Sequence, residues 1–192
     1  MSLSSSSPVP TSFTPLQTTR LTLRPLALYD IDALVPLIGA REVAATTLRI
    51  PHPYTEDHAR DYVTSSHENF AIGDELRLAI ILNSSRALCG GIGLRIEAEQ
   101  GRAELGYWIG VPYWGQGIAT EASLALVNYG FETLRLHRIF ASLVSGNVAS
   151  AKVLQNIGMK HEGCQRGHNQ KWGEFRDLEL YGLLASDHRS RS

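Results

Sequence analysis

The stretch from Gly106 to Ala122 constrains this chain more than any other: Gly-Tyr-Trp-Ile-Gly-Val-Pro-Tyr-Trp-Gly-Gln-Gly-Ile-Ala-Thr-Glu-Ala. An apolar, strand-like run ends at Ile109, glycines at 110, 115 and 117 allow a sharp turn, and a helical pattern starts at Ile118. A helix leaves its first N–H groups without intrahelical partners, and its dipole is positive at that end. A strand–turn–helix unit of this kind therefore aims free amides at one spot, which suits a phosphate or a diphosphate. Gly115 and Gly117 let the backbone approach such oxygens with no Cβ in the way. Two familiar phosphate loops do not match. No Gly-Lys-Ser/Thr follows, as a nucleoside-triphosphate loop requires, and Thr120 stands where a dinucleotide fingerprint needs its third glycine. The partial Gly91-x-Gly93 does not open a helix. Taken alone, a Gly-x-Gly turn is also compatible with a tight β–α connection that holds no ligand.

Around this unit the hydrophobic period switches between 2 and 3.6. Leu21 to Arg24 reads as a first strand stopped by Pro25, and Asp30 is placed to cap a helix through Ala33, Leu34 and Leu37. Thr55-Glu56-Asp57-His58 approximates a capping box that opens a helix toward Phe70. Three strand-like runs follow, Leu76 to Leu82, Ala87 to Ile96 and Arg102 to Ile109. Their connecting turns are short and polar, which makes them antiparallel neighbours. Beyond the glycine turn, a helix is expected to about Leu134, with Ile118, Ala122, Ala125 and Tyr129 at helical spacing and Leu124, Val127 and Phe131 widening the stripe. Then come a strand Ile139 to Val144, a helix from Ala149 to about Ile157 ended by Gly158, and strands Met159 to about Gly167 and Asp177 to Leu184. This order makes one mixed α/β sheet in a single domain over residues 19–186. Residues 1–18, rich in Ser, Thr and Pro, are expected as a disordered tail, and 187–192 as a short polar one. The opening stretch lacks the basic start and apolar block of a secretory signal.

Composition narrows the function classes. Eighteen basic against nineteen acidic residues argue against a broad nucleic-acid footprint. Two cysteines, with no Cys-x-x-Cys or His-Glu-x-x-His spacing, argue against a disulfide scaffold or a metal site and fit a reducing, cytoplasmic compartment. No apolar run reaches the roughly 18 residues of a membrane-spanning helix.

The glycine block resembles the acetyl-CoA-binding core of the GNAT superfamily of N-acetyltransferases, and more narrowly its branch of ribosomal-protein serine/alanine N-terminal acetyltransferases. A second block strengthens the resemblance: Asn147-Val148-Ala149-Ser150, a short helical run, Gly158-Met159, then Glu162-Gly163. The family writes this as Asn-x-x-Ser, a short helix, Gly-Phe and Glu-Gly, at the same separation from the first block. The likeness spans roughly residues 19–184. Two departures stand out. Trp114 occupies the place of the superfamily's Arg or Gln, a position where aromatic residues are familiar in this branch, and Met159 replaces the usual Phe.

The resemblance implies a mostly antiparallel sheet of six to seven strands, splayed between the fourth and fifth (Arg102 to Ile109 and Ile139 to Val144) and flanked by about four helices. It implies that acetyl-CoA is the co-substrate, with pantetheine bound by the backbone of Ile109, Gly110 and Val111. The diphosphate would be taken by amides across Trp114, Gly115, Gln116, Gly117, Ile118, Ala119 and Thr120. Asn147 anchors either the cofactor arm or the strand–helix turn. Glu104 is the expected general base, on the strand leading into the loop, and Ser150 the group facing the thioester sulfur. The hydroxyl that other superfamily members carry as a tyrosine falls at Leu154 and is missing. An ordinary ion-paired strand glutamate and a plain helix-start serine are the non-catalytic readings of these two residues. No metal, nucleic acid or membrane partner is expected, and homodimers are common in the family. Acceptors compatible with the resemblance are a protein N-terminus or a small-molecule amine. A catalytically silent acyl-CoA-binding module and a longer-chain acyltransferase are the alternatives, the latter depending on pocket depth near Ile92, Leu94 and Leu143.

Overall fold

The computed structural model describes residues 13–189. The chain first lays down a sheet edge, with strand β1 (Leu16–Gln17) paired antiparallel to β2 (Leu21–Pro25). Helices α1 (Ile31–Ile38), α2 (Arg41–Thr46) and α3 (Glu56–Ile72) then cross one face of the sheet. Strands β3 (Glu75–Leu82), β4 (Leu88–Glu97) and β5 (Arg102–Ile109) form an antiparallel meander. Helix α4 (Ile118–Glu132) carries the chain over the opposite face to β6 (Arg138–Val144), which lies parallel to β5. Parallel neighbours need such a crossover, whereas every other pair in the sheet is antiparallel. Helix α5 (Val148–Asn156), a long hairpin of β7 (Lys160–Lys171) and β8 (Glu174–Leu184), and α6 (Ala185–Arg189) complete the order β1-β2-β3-β4-β5-β6-β8-β7.

Two apolar layers sandwich the sheet. On one face Ile118, Ala122, Leu126 and Val127 of α4 pack against Leu23, Leu78, Ile92, Leu94, Leu105 and Ile139. On the other, Leu34 and Ile38 of α1 and Ala59 and Val63 of α3 meet Ala79, Ile81 and Trp108. The alternation along β5 sends Leu105 to one layer and Trp108 to the other, as a period of 2 requires. Leu124, counted in the expected stripe of α4, instead points outward and is 45% exposed.

The mixed α/β architecture agrees with expectation, and the differences have local causes. Among the described residues there are eight strands and six α-helices, rather than six or seven and about four. The additions, β1, α2 and α6, span 2, 6 and 5 residues, too short to set up a readable period. β1 lies inside the segment expected as a tail through residue 18. There Phe13 meets Tyr129 edge to face, and the Thr18 hydroxyl donates to Glu121 at 2.6 Å, so the ordered sheet begins before residue 19. Residues 1–12 lie outside the described part, as do 190–192. At the other end, Asp187 accepts from Lys160 and the His188 ring stacks on Phe131, so the polar tail starts later than residue 187.

Thr55 caps α3 as the sequence suggests, accepting from the His58 amide while the His58 ring accepts from the Thr55 N–H. Asp30 precedes α1 but does not cap it. Its buried carboxylate turns back to accept from both ends of the Arg24 guanidinium (2.7 and 2.8 Å) and from the Ala27 N–H. Breaking a largely buried pair strands a charge, so Asp30→Ala is expected to lower stability by about 2 kcal/mol in a urea titration, with the midpoint falling and the slope unchanged.

Candidate active site

Strands β5 and β6 pair only at Arg102–Arg138, Ala103–Ile139 and Glu104–Phe140. Beyond Glu104, β5 stays with β4 as far as Ile109, while β6 stays with β8 as far as Val144, so a wedge opens between them. The Gly110 N–H donates to the Cys89 carbonyl at 2.9 Å, which makes Ile109 and Gly90 a non-hydrogen-bonded pair. By alternation, the backbone groups of Leu105, Tyr107 and Ile109 point away from β4, into the wedge. Such a row can pair with a strand-like ligand.

At the wide end of the wedge the chain makes a 3-10 turn (Val111–Tyr113) and enters α4. Gly115 and Gly117 have φ of +73° and +76°, the left-handed region that only glycine enters cheaply. A Cβ built on Gly115 meets no atom within 4 Å, so the space above the turn is open. Glu121 makes the first backbone bond of α4, to the Gly117 carbonyl, which leaves the amides of Ile118, Ala119 and Thr120 ahead of the helical ladder. Open space, two close-approach glycines and free amides fit a diphosphate.

At the narrow end, a cavity of about 480 Å³ extends from the wedge toward α2 and α3. Glu104, Tyr107, Ser142, Ser150 and Leu154 line it together. The Tyr107 and Ser150 hydroxyls are 2.7 Å apart, and burial, only partly offset by this bond, pushes the Tyr107 phenol up to about 12. Tyr107 thus keeps its proton at neutral pH. One oxygen of Glu104, Oε2, accepts from both Arg49 and Arg95; the other lies 3.4 Å from the Ser142 hydroxyl.

The family model of the acetyltransferase (GNAT) domain matches residues 20–160. The chain belongs to the GNAT family of acetyltransferases. It is 34% identical over 175 residues to the N-acetyltransferase p20 of Bacillus licheniformis, an alignment covering 90% of this chain and 97% of that protein. It is 30% identical to the putative ribosomal N-acetyltransferase YdaF of Bacillus subtilis, over 85% of this chain and 91% of the relative. A likeness of fold extends to the Mycobacterium smegmatis RimJ solved with a CoA-disulfide, with a TM-score of 0.78 at 22% identity, covering 87% of this chain and 83% of that one.

Within this GNAT domain the expected site residues separate into two groups. Glu104 and Ser150 meet at one cavity, and Gly115 to Thr120 form one turn. Gly110 departs from expectation: its N–H goes to Cys89, its carbonyl accepts from Tyr113, and a Cβ there would strike Leu37 at 2.6 Å. Its N–H is thus committed to β4, and it packs closely against α1. Trp114 donates its indole N–H to the Ile109 carbonyl at 2.7 Å, so the aromatic residue in the Arg/Gln position braces the turn. Gln116 braces it as well, its side chain donating to the Pro112 carbonyl. Asn147 is the N-cap of α5, accepting from the Ser150 N–H at 3.1 Å and reaching the Thr46 carbonyl. Cys164 is exposed on the outer strand β7.

Three residues escaped the sequence reading. The role of the Tyr107 hydroxyl is legible only once α5 is placed beside β5. Arg20 brings a cation to the diphosphate turn, with Nη1 donating to the Gln116 carbonyl and Nε to Glu121. Burial pushes the Glu121 carboxyl up, but hydrogen bonds from Thr18 and Arg20 outweigh it and hold the group below the usual range. Lys171, at the tip of the β7–β8 hairpin, donates to the carbonyls of Thr47 (2.6 Å) and Ile50 (3.1 Å), fixing the segment 46–51 that roofs the cavity; burial lowers its pKa. Lys171→Met is expected to raise the acceptor KM about 5-fold with kcat little changed, measured under saturating acetyl-CoA, because it loosens the roof and leaves the reacting groups in place.

Proposed function

We propose that this GNAT domain transfers the acetyl group of acetyl-CoA to a primary amine, on a protein N-terminus or a small molecule, by direct attack in a ternary complex. The observation that carries the reading is the single cavity in which Glu104 and the Tyr107–Ser150 pair converge at the narrow end of the β5–β6 wedge. The name of the relative YdaF, a putative ribosomal N-acetyltransferase, supports a ribosomal protein as the source of the acceptor amine.

Amides of residues 115–120 hold the diphosphate, and the wedge-facing edge of β5 holds the pantetheine arm. Acetyl-CoA, when bound, supplies the activated acyl group. Glu104 Oε1 takes a proton from the acceptor's ammonium, directly or through water, so that the nitrogen carries a free lone pair. Ser150 lies at the N-terminus of α5, where the positive helix end favours a developing thiolate. Its hydroxyl hydrogen-bonds the departing sulfur while accepting from Tyr107, which supplies the proton that the thiolate needs. The carbon–sulfur bond breaks as the carbon–nitrogen bond forms. The nitrogen gives up two protons in all: Glu104 passes the first to solvent and then takes the second from the acylated nitrogen, and a proton returned through solvent restores Tyr107, so that one proton is released net.

If the two hydroxyls act as one unit, Tyr107→Phe and Ser150→Ala each lower kcat about 10-fold, and the double variant is hardly slower than either. Independent losses that multiply would separate their roles. The reading itself is tested by following thiol release from acetyl-CoA against peptides with free N-termini and against small amines. Release with acetylated product supports it; binding of acetyl-CoA with no release over the whole panel assigns a silent acyl-CoA-binding module instead.

A further inference from the structure

Glu104 is clamped by more positive charge than it can balance. Arg49, from the cavity roof, and Arg95, from β4, both donate to its Oε2, and the two guanidinium side chains are 63% and 47% exposed against 12% for the glutamate. A second cavity of about 420 Å³ adjoins the first across this cluster, sharing Arg49, Arg95, Glu104 and Ser142 with it. Two further arginines line the second cavity, but each has its own carboxylate. Arg138 is forked onto Glu162, and Arg102 is paired with Glu97. Arg49 and Arg95 therefore share one carboxylate between two cations, a surplus of positive charge local to this cluster; in the first cavity Arg77 is paired with Glu75, and Asp61 lies on the α3 side of the lining.

We propose that the acceptor carries a carboxylate close to its primary amine, and that Arg49 and Arg95 bind that carboxylate while the amine meets Glu104. The inference rests on the reading of Glu104 as the group that faces the amine. Guanidinium groups suit a carboxylate because their planar N–H forks match its two oxygens. An incoming carboxylate offers the arginines a second anion and relieves the double claim on Glu104 Oε2. The ammonium of the same molecule replaces the lost cation at Glu104. A zwitterionic acceptor thus supplies the second anion while leaving the net charge of the cluster at +1, whereas an acceptor with a basic group near its ammonium raises it to +3. Two sources supply this chemistry: the α-carboxylate of a free amino acid, and an acidic side chain at the first or second position of a peptide. The second cavity gives room for the atoms beyond the carboxylate.

The test compares acceptors on the wild-type enzyme at saturating acetyl-CoA, with kcat/KM read from thiol release. One arm uses C-terminally amidated peptides Ser-Glu, Ser-Gln and Ser-Lys followed by a common tail; the other uses free amino acids against their amides. In the arm that holds the true source, the acid-bearing acceptor is favoured about 30-fold over its uncharged counterpart, and Arg95→Met or Arg49→Met brings that ratio close to 1. Equal rates for acidic and uncharged acceptors in both arms, or a preference for the Ser-Lys peptide, overturn the inference while leaving the transferase reading intact. A wild-type preference that survives both arginine variants overturns the assignment to this pair. Thiol release that is unaffected by Glu104→Gln with the best acceptor overturns the reading on which the inference rests, and the inference with it.

Discussion

Glu104→Gln lowers kcat/KM for the acceptor about 100-fold at neutral pH and leaves the affinity for acetyl-CoA unchanged. The glutamine keeps the shape of the side chain but cannot take a proton, and the residue lines a cavity to which none of residues 109–120 contributes. The residual rate comes from positioning, which holds whatever fraction of the acceptor arrives as free amine. That fraction rises with pH, so the deficit of the variant shrinks toward the pKa of the acceptor amine. Steady-state rates between pH 6 and 10 check both parts. A variant with the wild-type rate at pH 7 reduces Glu104 to the counter-ion of Arg49 and Arg95.

Gly115→Ala weakens acetyl-CoA binding about 50-fold. At φ +73° an L-residue costs about 1–2 kcal/mol, and the alternative is a turn that relaxes away from the left-handed region. The added methyl meets no protein atom within 4 Å, so it projects into the open space above the turn, where a diphosphate would lie. Both effects act on the ligand more than on the fold. Calorimetry should show the loss of affinity beside a stability decrease of only about 1 kcal/mol in urea. The affinity for S-acetylpantetheine, which lacks the diphosphate, should be nearly unchanged. Equal losses for the two ligands would mean that the turn acts through the wedge and not through the phosphates.

Much of the site was legible because its signals are local. A Gly-x-Gly between a strand and a helix fixes where amides point, whatever surrounds it, and Asn147 three residues before Ser150 is a cap by spacing alone. The capping box at Thr55 is of the same kind. What escaped depends on distant segments. Tyr107 and Ser150 are 43 residues apart in sequence, and Lys171 reaches a loop 124 residues upstream, so no window of sequence contains either pair. The packing role of Gly110 escaped for a related reason. A glycine beside a phosphate turn looks like a cofactor residue until Leu37 of α1 is seen against it. Asp30 stood at a cap position, but the Arg24 fork, six residues back on β2, claimed its carboxylate before the helix could.

In the function proposed above, the amides where the turn enters α4 grip the diphosphate of coenzyme A. Isothermal titration of the protein with acetyl-CoA and, separately, with S-acetylpantetheine tests it directly. The account predicts saturable heat with acetyl-CoA and binding at least about 100-fold weaker with the ligand that lacks the diphosphate. Equal affinity for the two, or no heat with either, would contradict it.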